Sequence, residues 1–438
     1  MSASKSILEL LTLYRDIISK SDSFGNNYYE FEVRFSEEKI NKQTFDDIFK
    51  TLVKYGFEIE NSVYQLKITP NEHSKIRLEL ENLVQIQELC KTNSFPEQAQ
   101  YTKKTSQMKN SRPEYNNDFG FRTSIQQEQK LSIKDESVKA VKENWNDSLK
   151  HYRYLQRTSL THPNMPHIRV DMSTIRSNKS KKVKKEVHQE SGKPRYKYIL
   201  LPIYCRTFLE SNLLHENPFY EVEIECIDVD KENMKKNEFI SYVENMFKKT
   251  IKYIVGAIQK TPFPAPYGVL QDVFKEYTRL LVFLNNKNVI KAPYFLGPSS
   301  VTLQKENLLK TENSVYVKED FCVTDKADGE RKLLYISKGS MYFIDSNQNV
   351  QFTGMTTSMK TKPTIIDGEY ISTNKKGQSI YQFAAFDIYC ENGVDCRNKP
   401  FIEDRPGQTE TNSRYAKLSR YVDELMQNIS KGNLDIVV

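Results

Sequence analysis

Two short stretches place carboxylates at every second position. Tyr28–Phe35 reads YYEFEVRF, setting Glu30, Glu32 and Arg34 in step, and Phe219–Ile227 reads FYEVEIECI, setting Glu221, Glu223 and Glu225 in step. Side chains alternate faces along an extended chain, so each set shares one strand face, with apolar residues on the other. Stacked like charges favour solvent unless something compensates them. If both strands line one interior, five carboxylates converge, and that arrangement calls for a divalent metal, Mg²⁺ or Mn²⁺, bound by all-oxygen donors. The strands between supply cations at the same parity: Arg153 with Arg157, Arg169 beside Asp171, and Arg77, Lys103 and Arg122 on others. Such a lumen suits a polyphosphate, because the metal polarises the terminal phosphoryl group while the cations hold the chain and neutralise developing charge. One glutamate acting through water is a candidate general base. A lone Glu-x-Glu is commonly the wet face of an edge strand. Glu-x-Glu-x-Arg in the first strand and Glu-x-Glu-x-Glu in the last, with basic strands between, favour the enclosed reading.

A second constellation lies near the end of the chain, in VTDKADGERKLLYI, which holds Lys326, Asp328, Gly329 and Arg331. A lysine beside a glycine that permits close backbone approach can attack a nucleotide α-phosphate once it loses its proton, which burial or neighbouring cations promote. Taken alone, ADGE also reads as a plain hairpin turn. It is followed, however, by IIDGEY, with Asp367, Gly368 and Glu369 at the end of an apolar strand, and by FAAFDIY, with Phe386 and Asp387.

These groups need scaffolds to position them. A chain of 438 residues exceeds one simple core. Its 26 Tyr and 23 Phe provide apolar mass for buried sheets, which excludes a disordered chain. The net charge of +7 is compatible with a polyanionic partner. Six scattered cysteines form no Cys-x-x-Cys pair, so neither a zinc site nor a disulfide framework is indicated, and reduced thiols in an intracellular protein are expected. The start, MSASKSILELLTLYRDIISK, reads as an amphipathic helix with apolar Ile7, Leu8, Leu11, Ile17 and Ile18, not a signal peptide. No apolar run is long enough to span a membrane. From Tyr28 to about Asp228 the chain reads as many short alternating strands, the pattern of a sandwich or barrel. Lys-rich Asn178–Arg195 reads as a solvated loop. Residues 236–290 read as a helical linker closing a first domain, 1–235, and 291–438 as a second, strand-rich domain. The fold class expected is α+β: an antiparallel β-domain, barrel or sandwich, followed by a second α+β domain.

EFEVR and EVEIE resemble the two glutamate motifs of the triphosphate tunnel metalloenzymes, the metal-dependent RNA triphosphatases of fungi, protozoa and large DNA viruses. The resemblance implies a closed antiparallel barrel and metal ligation by Glu30, Glu32, Glu221, Glu223 and Glu225. RTSL and IRVDMS look like later basic strands of that family, which favours Arg157, Arg169 and Asp171 among the triphosphate-binding set of Arg34, Arg77, Lys103, Arg122 and Arg153. Lysine, then a DGE strand end, then an aromatic-Asp strand is similar to the covalent nucleotidyltransferases, the mRNA guanylyltransferases and nucleic-acid ligases. That resemblance implies that Lys326 takes GMP as a phosphoamide, that Asp328, Arg331 and Glu369 contact GTP or its metal, and that Phe386 stacks on the base. GPSSVTL, Gly297–Leu303, looks like the segment preceding the lysine motif.

The order of the two modules resembles viral mRNA capping enzymes, those of poxviruses, African swine fever virus and mimivirus-like giant viruses. The function then implied is removal of the γ-phosphate from an RNA 5′ end, followed by GMP transfer, with Glu223, Arg157, Arg169 and Lys326 as the catalytic set. The implied partners are RNA 5′ ends and GTP, with a downstream methyltransferase domain or subunit as a further candidate, no membrane, and a cytoplasmic location in a viral factory or virion. The chain ends 112 residues after Lys326, before a second DG strand and a lysine pair, so a fragment or a decayed transferase is expected. Competing readings are an inorganic tripolyphosphatase, a non-enzymatic RNA-binding scaffold with a vestigial transferase half, and a ligase.

Overall fold

The computed structural model describes residues 6–20, 27–105, 113–178, 180–187, 195–285, 293–311, 315–319, 321–402 and 412–438. The chain divides into two units, Met1–Ile258 and Gln259–Val438.

The first unit runs α1 (Ile7–Lys20), β1 (Asn27–Phe35), α2 (Lys42–Lys54), β2 (Glu58–Pro70), β3 (Ile76–Leu80), α3 (Leu83–Thr92), β4 (Gln100–Thr105), β5 (Glu114–Asn116) and β6 (Phe121–Leu131). It continues through α4 (Glu136–Glu143), β7 (Lys150–Thr161), β8 (Ile168–Ser177), β9 (Ser180–Val187), β10 (Arg195–Pro202), β11 (Phe219–Cys226), α5 (Lys231–Met234) and α6 (Asn237–Gln259). The main sheet has the order β1-β11-β8-β7-β2-β3-β4-β6-β5, and β1 also pairs with β6. That last pairing closes eight antiparallel strands into a barrel and leaves β5 as a short addition to β6. Closure leaves those strands no free edge.

The register explains why alternation is so strict. Outward residues Phe31, Val33, Val222 and Ile224 are fully buried under α1 and α6, in a core that includes Leu11, Tyr14, Phe247 and Ile254. A second core covers another flank, where Leu66, Leu78 and Tyr152 of the strands meet Ile86, Leu89, Val138 and Trp145. Inward residues are therefore enclosed by the barrel itself, whatever their charge. Leu8 of α1 is exposed, so the buried stripe of that helix runs through Leu10, Leu11, Tyr14 and Ile17 instead.

Two expectations change here. Asn178–Arg195 is not simply a solvated loop: β9 and β10 form an antiparallel ribbon in which Val187 faces Arg195 and Ser180 faces Pro202. The many lysines conceal this strand from a reading based on apolar alternation. Residues 236–290 do not act as one linker. α6 belongs to the barrel core, and the unit boundary falls before the next helix, α7 (Tyr267–Leu284), which contributes Leu270, Val273, Tyr277 and Leu281 to the second unit.

The second unit continues with β12 (Glu330–Ser337), β13 (Ser340–Asp345), β14 (Val350–Thr357), β15 (Thr364–Thr373), β16 (Ser379–Glu391), β17 (Val394–Asp395), α8 (Arg414–Gln427), β18 (Ile429–Lys431) and β19 (Asp435–Val437). Its sheet order is β17-β16-β15-β12-β13-β14-β18, with β19 beside β16. One face packs on α7 and the other on α8. No described helix is long and apolar enough to cross a membrane.

The first core depends on Phe31, whose ring lies 5.6 Å from that of Tyr14 and 5.1 Å from that of Phe247. Phe31→Ala should cost about 3–5 kcal/mol. Trp145, the chain's single tryptophan, is buried in the same unit, so denaturant unfolding followed by its fluorescence measures the loss. A change below about 1 kcal/mol would show that this contact does not hold the barrel to its helices.

Candidate functional site

Inward residues of the eight barrel strands line a cavity of about 1010 Å³. Glu30, Glu32, Glu221, Glu223 and Glu225 all face it, as do Arg34, Arg77, Arg122, Arg153, Arg157 and Arg169. Pairing of β1 with β11 sets Glu32 opposite Glu225 and Arg34 opposite Glu223, which brings the two glutamate strands together. Arg34 is the centre of the acidic wall. Its guanidinium bridges Glu32 at 3.7 Å, Glu221 at 3.6 Å and Glu223. Arg153 meets Glu221 at 2.5 Å, and Arg169 pairs with Glu225.

Several placements differ from those expected. Lys103 does not line the cavity; Lys104 does. Lys103 pairs with Ile76, which faces the outer core, so its parity is outward. The Lys-Lys dipeptide leaves parity ambiguous in the sequence. Asp171 is fully buried behind the lining. Its carboxylate receives Arg157 at 3.2 Å, Arg169 at 3.0 Å and the Ser159 hydroxyl at 2.7 Å, so it positions two arginines instead of facing a ligand. A second charged group was not foreseen: Lys67 pairs with Glu79 at 3.1 Å, Arg77 with Glu79 at 3.3 Å, and Lys104 with Glu128 at 2.6 Å. The Tyr28 hydroxyl donates to Glu128 at 2.6 Å. Parity would have found Glu128, six residues beyond Arg122, and Glu79, two beyond Arg77.

Enclosure makes the charges interdependent. Burial alone would raise the carboxyl of Glu221, but Arg153 and Arg34 outweigh it and hold this group below the usual range. Glu225 goes the other way, to about 8, through burial and the neighbouring Asp171. Glu30 is pushed up to about 7 by burial and by Glu128. It alone of the five makes no ion pair or hydrogen bond with a described residue. Carboxylates of this kind suit a hard divalent ion, and an unpaired one is the natural place for it. The donor set therefore fits Mg²⁺ or Mn²⁺ in kind, although among the described residues no three acidic groups are gathered on one point, where Arg34 now supplies the positive charge.

The second unit gathers another group. Arg331 on β12 holds the fully buried Asp367 of β15 through Nε at 3.1 Å and Nη2 at 2.5 Å, and the Tyr389 hydroxyl donates to the same carboxylate at 2.5 Å. Arg331 also donates to the carbonyl of Pro298 at 2.6 Å, and its guanidinium carbon lies 5.4 Å from the Phe295 ring centre and 5.8 Å from that of Phe386. Phe386 occupies a register shift: Asp367 pairs with Asp387 and Gly368 with Ala385, which leaves Phe386 as the extra residue and its ring partly exposed. The glycines of the motifs are forced by contact. A Cβ at Gly329 would stand 2.4 Å from the Tyr370 carbonyl, and one at Gly368 2.4 Å from the Phe383 ring. Glu369 packs beside Gly329. A neighbouring cavity of about 300 Å³ is lined by Gly297, Asp387, Arg397 and Arg414 among others.

Lys326 and Asp328 are not part of this group. They precede β12 on an irregular stretch, paired with each other at 3.1 Å, with side chains 88% and 92% exposed. The strand that follows them, β12, begins only at Glu330.

Residues 267–426 match the family model described as mRNA capping enzyme, catalytic domain. A probable mRNA-capping enzyme of Acanthamoeba polyphaga mimivirus is 27% identical over 179 residues. That alignment covers 41% of this chain and 13% of the relative's length. Among solved structures, the RNA triphosphatase domain of a mimivirus mRNA capping enzyme is similar at 16% identity and a TM-score of 0.37, covering 57% of this chain and 99% of that domain. A second mimivirus capping-enzyme triphosphatase structure is similar at 16% identity and a TM-score of 0.33, over 56% of this chain and 96% of that one. These likenesses are partial, and the barrel is described from its own strand pairing. With the matched catalytic domain behind a closed barrel, the chain resembles viral mRNA capping enzymes.

Glu30 generates a pH test. Its carboxyl is raised from the ordinary 4.5 to about 7 in the folded barrel, so the folded state binds the proton more tightly than the unfolded chain. Its stabilising contribution is complete below about 4.5 and is lost as pH rises through about 7. Glu30→Gln, which keeps the shape without the charge, should flatten the decline in stability across that window relative to wild type. Parallel pH profiles for the two proteins would refute the assignment.

Proposed function

We propose that the first unit hydrolyses the γ-phosphate of RNA bearing a 5′-triphosphate, and that the second unit transfers GMP to the resulting diphosphate end through Lys326. The first half rests on one observation, a closed cavity whose lining alternates arginines and carboxylates. Within it the Nε groups of Arg34 and Arg153 are buried with no hydrogen-bond acceptor. Such donors cost stability while unpaired, and phosphate oxygens would satisfy them. Arg153, Arg157 and Arg169 would hold the phosphate chain, with Asp171 fixing the last two. A divalent ion held among Glu30, Glu32, Glu221, Glu223 and Glu225 would supply Lewis-acid polarisation of the terminal phosphoryl group. Glu30, which makes no ion pair with a described residue, would receive the proton of an attacking water directly or through a second water.

In the second unit, the deprotonated Nζ of Lys326 would attack the α-phosphorus of GTP. A P–N bond forms, the α–β P–O bond breaks, and pyrophosphate leaves with its electron pair. The diphosphate end of the RNA then displaces the lysine. The match over residues 267–426 supports this reading, as does the cluster of Arg331, Asp367 and Phe386. Since Lys326 lies outside that cluster, transfer requires the stretch before β12 to carry it there.

Release of γ-phosphate from 5′-triphosphate RNA should require Mg²⁺ or Mn²⁺, and Glu223→Ala should lower it by about 100-fold or more. Release indifferent to metal or to Glu223 would remove the hydrolysis reading. GTP labelled at the α-phosphate should leave label on denatured wild-type protein and none on Lys326→Arg. An unlabelled wild type, given metal and GTP, would refute transfer by this chain while leaving the barrel reading intact.

A further inference from the structure

The barrel rim carries an aromatic side chain that phosphate hydrolysis leaves without a role. In the β5–β6 ladder Tyr115 lies directly opposite Arg122. Side chains opposite each other stand on the same face of a sheet, with Cβ atoms about 5 Å apart. On β6 the outward face is marked by buried Phe121 and Ile125, while Arg122 lines the cavity. Tyr115 therefore stands on the cavity side. It is also at the edge of the described wall: among the described residues β4 pairs with β6 from Gln127 to Leu131, and beyond it β5 pairs with Phe121 to Thr123.

Neither side chain is engaged. Tyr115 is 58% exposed, and it makes no ring contact or hydrogen bond with a described residue. Arg122 likewise forms no ion pair or hydrogen bond there, whereas Arg34, its partner across β1 and β6, is bridged to three glutamates. An unengaged ring beside an unengaged guanidinium, at the end of a cavity built for phosphates, matches a nucleotide more closely than a bare anion. The ring offers a base a stacking surface and the guanidinium offers a phosphodiester a bidentate partner.

We infer that this rim receives the first nucleotide of the RNA, Tyr115 stacking on its base and Arg122 meeting the adjoining phosphodiester, so that the barrel prefers an RNA end to free tripolyphosphate. The inference rests on the triphosphate lying in the cavity as proposed above. Inorganic tripolyphosphate has neither a base nor a diester and gains nothing from the rim.

The test uses the full chain and equilibrium binding, which is independent of turnover. A short 5′-triphosphate RNA with a 3′ fluorophore is titrated by anisotropy, and unlabelled tripolyphosphate is used to displace it. Tyr115→Ala should weaken the RNA by about 5- to 100-fold, the range of one base–aromatic stack, and change the tripolyphosphate constant far less. Tyr115→Phe, which keeps the ring, should bind RNA as wild type does. Equal loss of both ligands, loss of neither, or failure of Tyr115→Phe to retain RNA would overturn the inference. If wild type shows the split yet releases no γ-phosphate, the hydrolysis reading fails and the rim stands.

Discussion

Charge neutralisation inside a closed wall is the constraint on which the first unit depends. Closing β1 onto both β6 and β11 removes the sheet's edges and at the same time encloses every second side chain of eight strands. In an open sheet those positions would be solvated and their charges of little consequence. Inside the barrel an uncompensated carboxylate is costly, and most of them are met by a cation. Arg34 against three glutamates, Asp171 against two arginines, and Glu79 and Glu128 against Lys67, Arg77 and Lys104 are the outcome. Such pairs contribute little net stability once desolvation is counted, so the apolar outer cores must hold the fold while the interior remains available for a charged ligand.

Neutralisation is also uneven, and the unevenness has chemical content. Glu221 is held low by two arginines, whereas Glu30 and Glu225 are driven up toward neutral pH by burial and acidic neighbours. One wall can thus present a fixed anion and a proton acceptor within a few residues of each other. No single pair produces this. It follows from burial and from which strands happen to be adjacent, since β8 brings Asp171 near Glu225 and β6 brings Glu128 near Glu30.

The faces of the strands were legible because a period of two survives without knowledge of strand order, whereas alternation alone left a sandwich and a barrel equally open. Glu30, Glu32, Glu221, Glu223 and Glu225 were placed by parity alone, and so were Arg77, Arg122, Arg153, Arg157 and Arg169. Parity fails where adjacent residues are alike, as at Lys103 and Lys104. It also cannot separate a side chain that faces the cavity from one such as Asp171, buried behind its neighbours. Strand order and the β1–β6 closure are long-range properties that no local pattern encodes. The β9–β10 ribbon was missed because its lysines mask the apolar signal. The helices at 236–290 misled for a different reason: two successive amphipathic helices look alike in sequence whether they cover one core or two.

The second unit is organised by close approach instead of charge balance. Gly329 and Gly368 are required because neighbouring strands leave no room for a Cβ, and Arg331 is fixed by Asp367, Pro298 and the flanking rings. These contacts hold the cluster in place before any ligand arrives. Lys326 has no comparable restraint, since its only described ion pair is to an equally exposed Asp328. The two units therefore stand at different stages of preorganisation. In the first, the charged groups are already assembled around the cavity. In the second, the cluster around Arg331 and Asp367 is built while Lys326 lies outside it, so the proposed transfer would depend on movement of the stretch before β12.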